Sequence, residues 1–230
     1  MLVAEDLLLL LTDDDTGKLT VSASEADIAL GGATLVELTL MDRVDLTTDA
    51  DPGKPGRLVV RDKSPTGDAV LDTALRTVGD RAGKKPSAVI TPLSKNLRDL
   101  LYARLVEQGI LRSAHGKILG IFPTRSWPTA QGQHETDVRR HVTQALVQGT
   151  TPDVRTAALI SLLHALKAVR KVVDPREHGV RKQDLDARAK QIAEDSWGSQ
   201  AVRRAIDEMM AAVMVATTVA TTAAMTSSGS

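Results

Sequence analysis

The sequence predicts a mainly α-helical fold: a multi-helix bundle around a central apolar helix, with a small β component and a β-hairpin. Three observations lead there. Apolar residues recur at helical spacing, as in the stripe Val70, Leu71, Ala74, Leu75 and Val78. Beyond residue 135, Gly and Pro occur at wide intervals and leave four long helical stretches. The β-type runs are short and bracketed by Pro and Gly, near 44–60 and 110–128.

Taken in order, residues 3–11 read as a short apolar helix, and Asp13-Asp14-Asp15-Thr16-Gly17 as a turn. A short strand is expected at 19–21. Ser24 is the expected N-cap of a helix running to about 42, with Ile28, Leu35, Leu38 and Met41 near a helical period. Strands at 44–47 and 58–60 flank the loop Asp51-Pro52-Gly53-Lys54-Pro55-Gly56. Thr66, in Ser64-Pro65-Thr66-Gly67-Asp68, is the expected cap of the next helix. Ser94 is expected to cap another that ends at Gly109. Residues 110–111 and 118–122 flank Ser113-Ala114-His115-Gly116 as a hairpin, which Pro123 and Pro128 end with Trp127 between them. Helices follow at 135–148, 153–173, 180–195 and 199–225. Met209 to Met225 holds no charge and sits at the lower length limit of a membrane span, about 17 residues. It is built from Ala, Thr, Val and Met rather than Leu, Ile and Phe, so it reads as the central helix of a bundle. A single domain is expected over 1–225, with 226–230 as a flexible tail.

A chain of 230 residues can bury a sizeable core without covalent staples. With no cysteine it can form neither a disulfide nor a zinc–thiolate site. The leucine run 7–11 lacks a basic segment before it, so no signal peptide is read and a cytoplasmic location is expected. Net charge is zero but polarised. Residues 1–51 hold twelve carboxylates and two bases, net −10, which leaves +10 for the rest. Such polarity steers a basic face toward an anionic surface. The stretch 167–190 adds eight Lys/Arg against four acids.

An enzyme is not expected. The five histidines are scattered, and no metalloprotease, P-loop, nucleophile-elbow or dinucleotide motif occurs. No cofactor or metal is expected. Nucleic-acid binding is not expected either, because the basic stretches lack interleaved aromatics.

Five segments together resemble the Golgi phosphoprotein 3 family. They are Ala4-Glu5-Asp6-Leu7-Leu8-Leu9-Leu10, the run from Gly32 to Val44, the run from Ser64 to Leu75, Leu105-Val106-Glu107-Gln108-Gly109-Ile110-Leu111, and Leu159-Ile160-Ser161-Leu162-Leu163-His164-Ala165. They stand in the family's order and at similar spacing. The Ala- and Arg-rich composition suggests a bacterial, actinobacterial member. The resemblance implies a non-catalytic, mainly helical domain that binds phosphoinositide, in particular phosphatidylinositol 4-phosphate, or another anionic phospholipid. It places the head-group pocket at Lys95 and Arg98, read as i and i+3 in the first turn after the Ser94 cap, where free N–H groups also attract an anion. Gly31 stands where the family has an Arg, and Ser22 near its Trp; the N–H groups of Gly31 and Gly32 are the expected substitutes. Ile118, Leu119, Ile121, Phe122 and Trp127 would form the hairpin surface for membrane insertion or self-association. Implied partners are an anionic membrane lipid at the inner face of the membrane, a second copy of the chain, and membrane-protein tails. The alternative is a cytosolic protein-interaction adaptor with the same fold.

Overall fold

The leucine-rich start of the chain forms α1 (Val3–Leu10), and every residue of that helix is buried. A helix apolar on nearly all sides needs neighbours all round. The computed structural model describes residues 1–118, 122–194, 211 and 213–215, with 115–118 and 122–125 described at the backbone only. Among these, the centre belongs to α2 (Ala23–Leu40), buried continuously from Ala29 to Thr39. The remaining helices are α3 (Ala69–Gly79), α4 (Ser87–Ser94), α5 (Leu97–Glu107), α6 (Gln133–Val147), α7 (Val154–Ala165), α8 (Val169–Val172) and α9 (Lys182–Glu194). Helix α2 touches α1, α3, α4, α5 and α7. The protein is mainly helical, as expected. The helix expected at 199–225 lies outside the described residues except at 211 and 213–215. There, Val213 is fully buried and lies against Gly32. The tail 226–230 also lies outside them.

Two small antiparallel sheets complete the fold. Strand β1 (Val44–Leu46) pairs with β2 (Leu58–Val60), Val44 opposite Val60. Strand β3 (Ala114–Ile118) pairs with β4 (Phe122–Ser126), Ala114 opposite Ser126. The hairpin exists, but its turn is not at 113–116. Residues 114–116 are strand, and the residues that join β3 to β4, 119–121, lie outside the described residues. Pro123 lies inside β4 opposite Lys117. A two-stranded sheet is all edge, so a missing N–H is tolerated there.

Side-chain caps account for the other local differences. Ser22, not Ser24, caps α2: Ser22 Oγ accepts from Glu25 N–H at 3.3 Å, and the Glu25 carboxylate accepts from Ser22 N–H at 3.0 Å. Asp68, not Thr66, caps α3, accepting from Val70 and Leu71 N–H at 2.8 and 3.2 Å. Thr66 donates instead to Asp72. Ser94 closes α4, a helix the sequence reading did not anticipate because Pro92 stands inside it. Residues 19–21 form no strand; Leu19 makes one isolated bridge to Thr12. The stretch 153–173 breaks after Ala165, where Lys167 adopts φ +54°.

A charge network ties the core together, and it is made largely of the residues that carried the family resemblance. Glu5 and Asp6 of α1 are buried. Glu5 accepts from Leu2 N–H at 2.7 Å and lies 3.2 Å from Arg104 of α5, which also holds Asp68 at 2.8 Å. Asp6 meets His134 of α6 at 2.7 Å and Arg155 of α7 at 3.0 Å. Arg155 reaches Glu37 of α2 at 3.1 Å and the Met1 carbonyl at 2.6 Å, while Glu37 accepts from Val3 N–H. The N–H groups of Leu2 and Val3 at the start of α1 are thus satisfied by carboxylates.

Candidate anion-binding site

Two glycines in the middle of α2 set the geometry. At Gly31 a Cβ would lie 2.7 Å from the Ile90 carbonyl and 3.2 Å from Ser94 N, so α4 lies directly on the α2 backbone. At Gly32 a Cβ would collide with Val213. Mid-helix glycine costs about 1 kcal/mol relative to alanine. Here it permits contacts that any side chain would block. The expectation that these glycines lend N–H groups to a phosphate fails, because both sit inside α2, where the helical ladder uses those groups. Gly31 also leaves no room for an Arg, and Ser22 is occupied as a cap.

With α4 pressed onto α2, its C-terminal end and the link to α5 face the end of α3. Lys95 is extended (ψ 118°), and Asn96 is left-handed (φ 59°), a conformation asparagine tolerates. Helix α5 then begins at Leu97. Lys95 and Arg98 therefore do not share a helical turn, contrary to the expected i, i+3 placement. Between these elements lies an open depression of about 640 Å³. Lys95 and Asn96 line it from the link, Thr91, Pro92 and Ser94 from α4, Thr77 and Arg81 from α3 and beyond, and Asp27 from α2. Lys95 is exposed and has no ion-pair partner among the described residues.

Arg98 lies outside this lining. Its guanidinium is 3.3 Å from Asp27 and donates to the Ala23 carbonyl at 3.0 Å. Burial pushes the Asp27 carboxyl above its ordinary value; Arg98 pulls it down and Asp99 adds to the rise. Next to the depression is an apolar slot of about 110 Å³, lined by Leu93, Leu97 and Leu100, with Lys95 on the boundary. Leu100 is 48% exposed. A comparable depression of about 660 Å³ lies between β2 and α3, but its cations Lys63 and Arg76 share it with Asp72 and Asp80.

The hairpin residues separate. Ile118 and Phe122 are backbone partners in the ladder at the strand ends. Leu119 and Ile121 lie outside the described residues. Trp127 is half-buried at the hairpin base, stacked on Tyr102 with ring centroids 3.9 Å apart and planes 2° apart. Trp127 N–H donates to the Gly17 carbonyl at 2.8 Å. The basic stretch 167–190 is partly spent on internal bonds. Arg170 pairs with Asp186 at 3.5 Å, Arg181 with Asp184 at 2.8 Å, Lys171 binds the Thr20 carbonyl, and Arg188 binds the Ala145 carbonyl.

The sequence reading missed a second polar cluster. Glu135 of α6, 4% exposed, faces Asp14, Asp15, Arg112 and Arg139 around a depression of about 370 Å³. Burial pushes its carboxyl up to about 7, Asp14 adds to the rise, and Arg139 at 2.5 Å opposes it. The acidic run 13–15 was the one signal, and a run of acids in a turn does not say what it faces. Among the described residues, no group of three or more His, Cys, Asp or Glu is placed to hold a metal ion. No helix among them is long and apolar enough to cross a membrane.

Residues 3–209 match the family model described as Golgi phosphoprotein 3 (GPP34). The chain is similar to "Vacuolar protein sorting-associated protein 74" of Eremothecium gossypii, 26% identical over 213 residues. That match covers 77% of this chain and 62% of the relative, so the chain spans less than two thirds of the relative's length. With a match that runs through α1 to α9, the chain belongs to the Golgi phosphoprotein 3 family.

Proposed function

We propose that the protein is a non-catalytic peripheral membrane protein that binds anionic phospholipid head groups at the Lys95 depression, with phosphatidylinositol 4-phosphate as the reference ligand. The observation that carries this reading is Lys95, an exposed cation without an ion-pair partner among the described residues, beside an open polar depression. It precedes the first turn of α5, where the leading N–H groups lack intrahelical acceptors and attract an anion. Arg98 contributes by holding Asp27, the carboxylate that lines the depression. Family membership supports the reading, and the relative's name supports a role in protein sorting. The hairpin, with Ile118, Leu119, Ile121 and Phe122, supplies a second weak contact, since stable peripheral binding takes two signals. The expected location is the cytoplasmic face of a membrane.

Sedimentation with vesicles of neutral lipid, phosphatidylinositol and its 4-phosphate tests this. Binding should rise in that order and weaken with salt. Equal partitioning on all three would overturn lipid recognition and favour a protein-interaction adaptor. Lys95→Ala with Arg98→Ala should weaken binding and flatten its salt dependence.

A further inference from the structure

We infer that Arg81 is the second cation that touches the bound anion, and that it sets the preference of the Lys95 depression for a phosphate monoester over a diester. The inference rests on the head-group reading above and assigns it a residue that the family resemblance does not.

Arg98 is held away from the depression. Its guanidinium pairs with Asp27 and caps the Ala23 carbonyl, and it is not part of the lining. Gly31 lies beneath α4 and admits no side chain. Lys95 therefore needs its second cation from elsewhere. Arg81 lines the same depression from the segment that follows α3. One of its Nη groups donates to the Thr77 carbonyl at 3.3 Å, and it has no ion pair among the described residues. Its backbone is fixed, with Arg81 N–H donating to the Val78 carbonyl at 2.9 Å. A planar guanidinium offers paired donors that match two phosphate oxygens, while Lys adds a mobile point charge. A monoester presents such an oxygen pair with charge near −2; a diester carries a single charge. The Asn96 side chain makes no cap bond to α5 and is a further donor. The apolar slot past Lys95, with exposed Leu100 at its edge, continues the site in a way that free phosphate cannot use.

The test uses the full chain and phosphatidylcholine vesicles doped with phosphatidylinositol 4-phosphate or with phosphatidylinositol. Arg81→Gln should bind the 4-phosphate vesicles about tenfold more weakly, the loss expected for one charge-assisted contact. Binding to phosphatidylinositol vesicles should change much less. Arg81→Lys should restore part of the loss. Inorganic phosphate should compete poorly; competition as effective as that of the lipid would overturn the head-group reading on which the inference rests. Unchanged discrimination in Arg81→Gln, with thermal unfolding like the wild type, would overturn the role of Arg81 and leave lipid binding standing. Failure of the wild type to bind either anionic vesicle would remove both.

Discussion

Asp27 is the acidic residue that lines the Lys95 depression, where Arg98 pairs with it, and on the proposed head-group reading its charge opposes the anion. Asp27→Asn should therefore strengthen binding to anionic vesicles about fivefold, the effect of roughly one charge near such a surface. A vesicle titration at fixed salt reads this directly, and unchanged or weaker binding contradicts it. Glu135 gives a second prediction at the same scale. Its carboxyl sits at about 7 in the folded chain against an ordinary 4.5. Between those values the folded state keeps a proton that the unfolded chain has released. The resulting stability is complete below pH 4.5 and is lost as pH rises through about 7. The shift corresponds to about 3 kcal/mol. Glu135→Gln should flatten this slope in urea midpoints measured across pH 5 to 8, and a slope like the wild type's refutes it. The sequence showed Lys95 and Arg98 as bases three apart. It could not show that a left-handed Asn96 separates them, because that depends on how α4 stops. Arg81 gave no signal, since it reaches the depression through the packing of α3 beside α4.

At the scale of elements, helix stripes were legible and helix ends less so. Val70, Leu71, Ala74, Leu75 and Val78 are all buried as their period requires. Ends depend on which of several neighbouring polar side chains takes the cap, and Ser22 wins over Ser24 because Glu25 can return the bond. Helix α4 escaped because its interior Pro92 reads as a break. The hairpin was legible as a hairpin but not in register, since the two-residue periodicity of so short a ladder fixes register weakly. Its base is fixed by the loop after α1. Gly17 has φ +63°, and a methyl there would collide with the Trp127 and Pro128 backbone. Gly17→Ala should cost about 2 kcal/mol or more and displace the hairpin base. A lower urea midpoint, together with faster amide exchange at 127–129, is the expected outcome. Wild-type stability would show that the loop moves aside.

Across the whole molecule, the segments that reveal the family are mainly those that hold it together. Glu5, Asp6, Glu37 and Asp68 meet Arg104, His134 and Arg155 across five helices and the cap of a sixth. The motif letters were legible, but their partners lie far away in sequence and became visible only in the fold. Arg155→Met would leave Asp6 and Glu37 without their shared cation, and removal of one partner from such a pair costs about 3–5 kcal/mol. A matching drop in unfolding free energy is expected; a loss under about 1 kcal/mol would mean water replaces the guanidinium. The stack of Tyr102 on Trp127 joins the same body from the other side, because the Tyr102 hydroxyl lies 2.9 Å from Thr12 at the end of α1. This gives the molecule an optical consequence. It holds two tryptophans, so Trp197→Phe leaves Trp127 as the lone indole emitter, pressed face to face on the only tyrosine. Its emission colour and its excitation through Tyr102 then report, without any attached dye, whether the hairpin base stays seated when vesicles are added.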